Sequence, residues 1–270
     1  MNARQLAAEV AGQLRAASVP EAEFEAEYLV RNASGMTRAQ FFAGHEANAA
    51  DVAGSIARRV AREPAAYITG EREFYGLPFK VGPGVLVPRP ETEMLVELAI
   101  SEAAQGDVIV DVGTGSGAVA IATALALTPG RAIVVGIEVS AQALSIARAN
   151  ETALGAELTL IRGDLATPIG SADIILANLP YIPSGEIDAL EPEVSRWEPR
   201  VALDGGADGF ALIRRLVADC AERLRPRVLA LEVGFGQADS VAEICRGHGA
   251  SVSIRKDFGG IDRVVVARWV

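Results

Sequence analysis

The sequence predicts an α/β fold: a doubly wound, Rossmann-like sheet of seven strands, with a small helical module ahead of it and a β-hairpin linker between them. Three observations carry this expectation. From about residue 64 onward, short apolar strands alternate with helical segments, as doubly wound sheets require. Val108-Ile109-Val110 is a continuous apolar run, the pattern of a strand covered on both faces. The first sixty or so residues show helical spacing and no strand pattern. The expected division is 1–70 for the helical domain, 71–87 for the hairpin linker and 88–270 for the sheet domain.

In chain order, Ala3 to Ala17 places Leu6, Val10 and Leu14 at helical spacing. Ser18-Val19-Pro20-Glu21 reads as a capping box for a second helix that carries Phe24, Tyr28 and Leu29 on one face and ends at Gly35. Thr37 and Asn48 are predicted caps of two more helices, the second running towards Arg62. Phe74 to Val81 reads as a β-hairpin turning near Gly76-Leu77-Pro78. Pro88 and Pro90 stiffen the next stretch, and Thr92 lies near the start of a helix through Ile100. Strands are then expected at 108–110, 133–137, 158–161, 174–176, 228–232, 251–255 and 263–266. Helices are expected at 118–127, 141–154, 210–224 and 238–247. The last two strands are adjacent in sequence, which allows an antiparallel pair at one edge.

The bulk properties narrow the function. The formal charge of −10 opposes non-specific binding to a phosphate backbone, so no direct nucleic-acid contact is expected. No apolar run is long enough to cross a bilayer, so no membrane partner is expected. The N-terminal residues lack the apolar block of a signal peptide. Two dispersed cysteines, Cys220 and Cys245, favour a reducing cytoplasm, and a monomer is the expected state. His45 and His248 have no acidic or cysteine partners in a ligand-like spacing, so no metal is expected.

Asp111-Val112-Gly113-Thr114-Gly115-Ser116-Gly117 follows a strand and opens a helix. Its glycines let the backbone turn tightly and approach a ligand without a Cβ in the way. The spacing is an acid followed by G-x-G-x-G, whereas a pyrophosphate-binding dinucleotide turn reads G-x-G-x-x-G. A carboxylate at Asp111 suits a ligand bearing a sulfonium and an ammonium group, which is S-adenosylmethionine. Glu138 ends the next strand, where it can accept both ribose hydroxyls. Asp164 follows the third strand, where an acceptor for the adenine amino group is expected. Together with the antiparallel strand pair, these residues point to a class I methyltransferase.

Asn178-Leu179-Pro180-Tyr181 ends the fourth strand, beside that crevice. An amide nitrogen is a poor nucleophile because its lone pair is delocalised into the carbonyl. A catalyst must hold the NH₂ group with its lone pair facing the methyl carbon, roughly 3 Å away. The Asn178 side-chain oxygen and the carbonyl of Leu179 can accept the two N–H bonds and stabilise charge developing on nitrogen. Tyr181 offers an aromatic wall for a planar group.

The sequence resembles the HemK-type protein-glutamine N5-methyltransferases along nearly its whole length. The resemblance rests on Gly70-Glu71-Arg72-Glu73-Phe74-Tyr75-Gly76, on Val87-Pro88-Arg89-Pro90-Glu91-Thr92-Glu93 and on Trp197-Glu198-Pro199-Arg200-Val201-Ala202-Leu203 with the glycines that follow. Leu231-Glu232-Val233-Gly234 with Gln237, and the stretch from Asp257 through Arg263, extend it. It implies methylation of the glutamine in the Gly-Gly-Gln motif of peptide chain release factors, with S-adenosylmethionine as donor. It also implies that Gly113 to Gly117, Glu138, Leu165 and Asn178 contact the cofactor, and that Asn178 to Tyr181 contact the glutamine. Phe74, Arg89 and Glu91 would shape the substrate site, and the helical N-terminus would recognise the release factor.

Two residues depart from the family pattern. Leu179 stands where proline is usual, which keeps the carbonyl but removes proline's fixed φ. Leu165 stands where an aromatic residue is frequent. Two other readings stay open: a methyltransferase of the same build acting on a small molecule or a nucleic-acid amino group, and a cofactor-binding fold kept as an interaction module.

Overall fold

The computed structural model describes residues 1–269, so only the last residue of the expected 88–270 domain lies outside it. The chain divides into two compact units. One comprises Met1–Glu71 together with Leu190–Trp197; the other comprises Arg72–Ala189 and Glu198–Val270.

The first unit is helical: α1 (Ala3–Ala16), α2 (Ala22–Ala33), α3 (Arg38–Phe42), α4 (Ala49–Val60) and α5 (Ala65–Thr69). The expected caps at Thr37 and Asn48 are present; Thr37 forms a reciprocal capping box with Gln40, and Asn48 accepts from the Ala50 amide. The expected box at Ser18 is not formed. Ser18 has φ +56° and its amide continues the end of α1, bonding the Arg15 carbonyl, so α2 starts later, after Glu21. The buried face of α2 is Ala22, Ala26, Leu29 and Val30, and Phe24 points to solvent. Alanines let α1 and α2 pack closely, which a search for large apolar side chains overlooks.

Arg59 in α4 is only 2% exposed. Such a charge is tolerable only when paired. Its guanidinium bonds Glu25, and its Nη1 lies 2.7 Å from Oε1 of Glu193. Arg62 grips the same Glu193 with two bonds of 2.6 Å. Glu193 sits in a short helix, α9 (Pro192–Ser195), which is not among the helices expected from the sequence. Burial works to raise its carboxyl, yet the bonds from Arg62 and Arg59 hold it below the ordinary value.

The second unit opens with a hairpin, β1 (Glu71–Phe74) and β2 (Leu77–Lys80). Its turn lies at Tyr75-Gly76, one position earlier than expected, with positive φ at both residues (+52° and +70°). That is a two-residue turn of the primed type, matched to strand twist. Glu93 accepts the Tyr75 amide at 2.8 Å and holds the strained residue. The hairpin is not a free-standing linker. Phe74 and Phe79 are buried in the core against α6 (Glu93–Glu102), and Asn150 of α8 (Ala141–Leu154) bonds the Lys80 amide.

The main sheet contains β3 (Asp107–Val112), β4 (Ala132–Glu138), β5 (Thr159–Arg162), β6 (Ile174–Ala177), β7 (Val228–Glu232), β8 (Ser251–Lys256) and β9 (Asp262–Arg268). Their order is β5-β4-β3-β6-β7-β9-β8, parallel except for β9, which runs antiparallel to both neighbours. Side chains alternate between two cores, as the two-residue strand period requires. Ile175, Ala177, Leu229 and Leu231 face α10 (Ala211–Asp219) and α11 (Ala238–Gly247). Ile174, Leu176, Val228 and Ala230 face α6 and α7 (Ala118–Ala126). Chain order reverses beside β3, so the loops after β3, β4, β5 and β6 meet at one end of the sheet, the crevice where such folds bind ligands. No helix among the described residues is long and apolar enough to cross a membrane.

Candidate active site

A cavity of about 280 Å³ opens at that end of the second unit. Of the residues expected to meet the cofactor, Asp111, Gly113, Thr114, Gly115, Ser116, Glu138, Asp164, Leu165 and Asn178 all line it, as do Leu179, Pro180 and Arg89. Gly117, Tyr181, Glu91 and Phe74 do not.

The turn after β3 is held by acids from two strands. Asp111 is 2% exposed, and its Oδ2 accepts from the Thr114 hydroxyl at 2.5 Å and from the Ala120 amide at 3.2 Å. One carboxylate oxygen therefore caps the first turn of α7. Burial pushes the Asp111 carboxyl up to about 7; the bonds from Thr114 and Ala120 lower it, and the charge of Glu138 raises it. Glu138 accepts the Gly115 amide at 2.9 Å through Oε2 and the Ser140 amide at 2.8 Å through Oε1. Both oxygens are thereby fixed in direction while each keeps a lone pair. Gly113 has φ +79°, and a Cβ there would lie 3.4 Å from Cδ2 of Leu179. Gly117 has φ +85°, and a Cβ there would lie 2.8 Å from Ile121, so it shapes the loop from outside the cavity.

Asp164 lines the cavity but is also committed elsewhere, bonding Arg215 at 2.6 Å across a half-exposed surface. Leu165 follows with φ +49°, a conformation that costs a branched residue about 1–3 kcal/mol and aims the local backbone at the cavity.

Asn178 donates through Nδ2 to the Thr92 hydroxyl at 3.1 Å. Its Oδ1 and the Leu179 carbonyl have no hydrogen-bond partner among the described residues. The Leu179 side chain is 4% exposed and belongs to the core that packs α10 and α11 on the sheet, so it seats the loop after β6 against the glycine turn. Tyr181 is half-buried behind the cavity lining. Gln237 holds it through a 2.8 Å bond to its carbonyl, and burial, with the charge of Glu232, pushes its phenol up to about 12.

Phe74 does not reach the cavity. It is 1% exposed and packs edge-to-face on Phe79, 6.0 Å between ring centres, because it points from the hairpin into the core. Arg89 does line the cavity and bonds Glu198 at 2.7 Å. Glu198 is itself buried and accepts the Val87 amide, which ties the segment before α6 to the one around Trp197-Glu198. Two side chains that support the site drew no role from the sequence: Thr92, which accepts from Asn178, and Glu198, which holds Arg89. Neither lies near its partner in sequence.

A seven-stranded sheet with this order, a glycine turn after β3 and acids at the ends of β3 and β4 define a class I methyltransferase. The fold recurs at low identity in a methyltransferase from Pyrococcus furiosus (TM-score 0.53, 19% identity, 72% of this chain and 89% of that one). It recurs also in the 16S rRNA N2 G1207 methyltransferase of Thermus thermophilus (TM-score 0.52, 18% identity, 74% and 50%). Residues 5–70 match the family described as PrmC N-terminal domain, and residues 109–197 match Methyltransferase domain. Curated relatives named release factor glutamine methyltransferase align over nearly the full length. The protein of Geobacter sulfurreducens is 41% identical over 95% of this chain and 93% of the relative. That of Moorella thermoacetica is 39% identical over 99% and 98%. The chain belongs to the release factor glutamine methyltransferase family.

Proposed function

We propose that this enzyme transfers a methyl group from S-adenosylmethionine to N5 of the glutamine in the Gly-Gly-Gln motif of a peptide chain release factor. The observation that carries the reading is the pair of acceptors with no hydrogen-bond partner among the described residues, Asn178 Oδ1 and the Leu179 carbonyl, on the wall shared with the glycine turn. Two acceptors on adjacent residues suit a planar NH₂ group with two N–H bonds.

Bound there, S-adenosylmethionine would supply an electrophilic methyl carbon on a sulfonium. The residues for holding it are Gly113 to Ser116 as the turn, which Gly117 shapes from outside the cavity, Glu138 for the ribose hydroxyls, Asp164 and Leu165 beside the adenine, and Asp111 towards the cations. The fit is supported by a turn with glycine, and so no Cβ, at Gly113, Gly115 and Gly117, and by a Glu138 carboxylate whose free lone pairs are already oriented. Asn178 and Leu179 accept the amide hydrogens, draw the nitrogen lone pair out of conjugation and stabilise positive charge as it develops. Pro180 keeps Leu179 extended, and Tyr181 backs the loop. Arg89 and Glu91 shape the substrate entrance, with Phe74 contributing through packing. Water is a sufficient sink for the proton that the methylated amide sheds.

The helical domain, residues 1–70, is assigned to release-factor recognition, and the enzyme to the cytoplasm as a monomer. In Asn178→Ala, methyl transfer to a release factor should be lost while adenosylmethionine affinity stays within about tenfold, roughly one hydrogen bond. Turnover unchanged in that variant removes Asn178 from the mechanism.

A further inference from the structure

Gln237 stands at the start of α11, and its side-chain amide is committed at both ends. Its Nε2 donates to the Tyr181 carbonyl at 2.8 Å, and its Oε1 accepts the Gly234 amide at 2.9 Å. The NH₂ end of an amide only donates and the C=O end only accepts. Turned over, the group would set oxygen against the Tyr181 carbonyl and NH₂ against the Gly234 N–H, so both bonds form in one orientation alone. Two glycines leave room for this clamp. A Cβ at Gly209 would come within 2.4 Å of the Tyr181 oxygen and 3.0 Å of Gln237 Nε2. A Cβ at Gly234 would lie 2.8 Å from Gln237 Oε1 and 3.1 Å from Cδ2 of the Tyr181 ring.

The peptide group that Gln237 grips, between Tyr181 and Ile182, is fixed on its other side too, because the Ile182 amide donates to the Leu203 carbonyl at 3.0 Å. Upstream, Ala177 ends β6 within the sheet. The loop from Asn178 to Tyr181 therefore hangs between two anchors. Between the carbonyls of Leu179 and Tyr181 only Pro180 ψ and the Tyr181 torsions are soft, since the peptide bonds are planar and the proline ring fixes φ. Holding the Tyr181 carbonyl narrows the directions in which the Leu179 carbonyl can point.

We propose that Gln237 is a positioning residue for methyl transfer: by gripping the Tyr181 carbonyl from the loop after β7, its amide holds the Asn178–Tyr181 loop so that the Leu179 carbonyl faces the reacting nitrogen. The inference rests on the function proposed above for that site. Gln237 does not line the cavity, so it acts on the reaction through Tyr181. An acceptor that must meet a developing charge is useful only if already aimed, and a misplacement of ~1 Å costs about 100-fold in rate. The pairing beyond Tyr181 does not involve Gln237: Gly205 N–H meets the Ile182 carbonyl and Ser184 N–H the Gly206 carbonyl, both at 2.9 Å. The fold should therefore survive the loss of Gln237, while the aim of the loop should not.

The test uses full-length enzyme and two variants. Gln237→Met keeps the length of the side chain and removes both bonds. Gln237→Glu keeps an acceptor for Gly234, but its carboxylate cannot donate to Tyr181; once protonated, its O–H restores the donor and acceptor pair. Beside this position the Tyr181 phenol, pushed up to about 12, stays neutral, and Arg214 holds Asp208 at about 2. Glu232, which burial pushes up to about 7, titrates in wild type and variants alike.

The first readout is the NMR signal of the Tyr181 carbonyl carbon in enzyme labelled with carbonyl-carbon-13 tyrosine, identified by its loss in Tyr181→Phe. It should be displaced in Gln237→Met at every pH, and in Gln237→Glu should return towards the wild-type position as pH falls from about 8.5 to about 5. A signal undisplaced in both variants overturns the clamp, whatever the substrate proves to be. The second readout is methylation of a release factor at saturating adenosylmethionine. Both variants should lose about tenfold or more in kcat near neutral pH with cofactor Kd little changed. The kcat ratio of Gln237→Glu to wild type should climb as pH falls, while that of Gln237→Met stays flat. Wild-type kcat in Gln237→Met, or a kcat loss matched by an equal loss of cofactor affinity, overturns the positioning role. A wild type that binds cofactor but leaves the factor unmethylated overturns the substrate assignment alone, and the carbonyl signal then decides the clamp by itself.

Discussion

Leu179→Pro restores the residue usual in the family and separates two demands on this position. Leu179 is 4% exposed, and its Cδ2 occupies the space beside Gly113 where a Cβ would come within 3.4 Å. Proline cannot extend there, so one to two buried carbon groups lose their contacts, costing about 1–2 kcal/mol at ~0.8 kcal/mol each. The Leu179 amide donates no hydrogen bond among the described residues, so proline removes none. Restriction of the unfolded chain returns about 0.4–1 kcal/mol. The net loss should fall between about 0 and 1.6 kcal/mol, read as a small drop in the urea midpoint. Activity should be retained or raised, because proline also restricts Asn178 and keeps the 179 carbonyl in place. Leu179→Ala removes more of the side chain and does not fix φ, and should be less stable by about 2–4 kcal/mol. Stopped-flow or endpoint transfer from labelled adenosylmethionine measures the activities. Complete loss of transfer in Leu179→Pro, with cofactor binding intact, refutes the reasoning and points to an acceptor pocket reshaped around leucine.

Two further outcomes follow from the buried charges. Glu193→Ala leaves Arg62 unpaired and Arg59 with Glu25 alone, and should destabilise the helical unit by about 2–4 kcal/mol in denaturant melts; a loss below ~0.5 kcal/mol contradicts the role given to that cluster. Asp111 and Glu232 both have folded-state values near 7, above those of an unfolded chain, so the fold binds their protons more tightly. Their contribution is complete below about pH 4 and is lost as pH rises through 7. Without cofactor the protein should therefore be more resistant to urea at pH 5.5 than at 7.5, by a few kcal/mol at most; the opposite order contradicts the burial of these acids.

Much of the second unit was legible because its signals are local. The helix at 141–154 is bounded by a Ser140 cap, whose hydroxyl accepts the Ala143 amide, and by Gly155 in the left-handed region. The strand at 228–232 and the helix at 238–247 have the expected limits for the same kind of reason: an apolar run and a periodic face. The cofactor turn was legible because its glycines and strand-end acids are close in sequence. What was missed depends on distant partners. Ser18 has the composition of a cap, but its backbone was already claimed by the end of α1. Phe74 was expected at the substrate and serves the core instead, since the turn at Tyr75-Gly76 decides which way the hairpin residues face. Glu193 meets Arg59 across 134 positions, and Thr92 meets Asn178 across 86. No spacing rule connects such pairs.

The most direct test incubates the enzyme with labelled adenosylmethionine and a peptide chain release factor, either intact or with the glutamine of its Gly-Gly-Gln motif changed to alanine, and locates the label by mass spectrometry. One methyl group is expected on the side-chain amide of that glutamine and none on the altered factor. Label on another residue, or equal label on both factors, would contradict it.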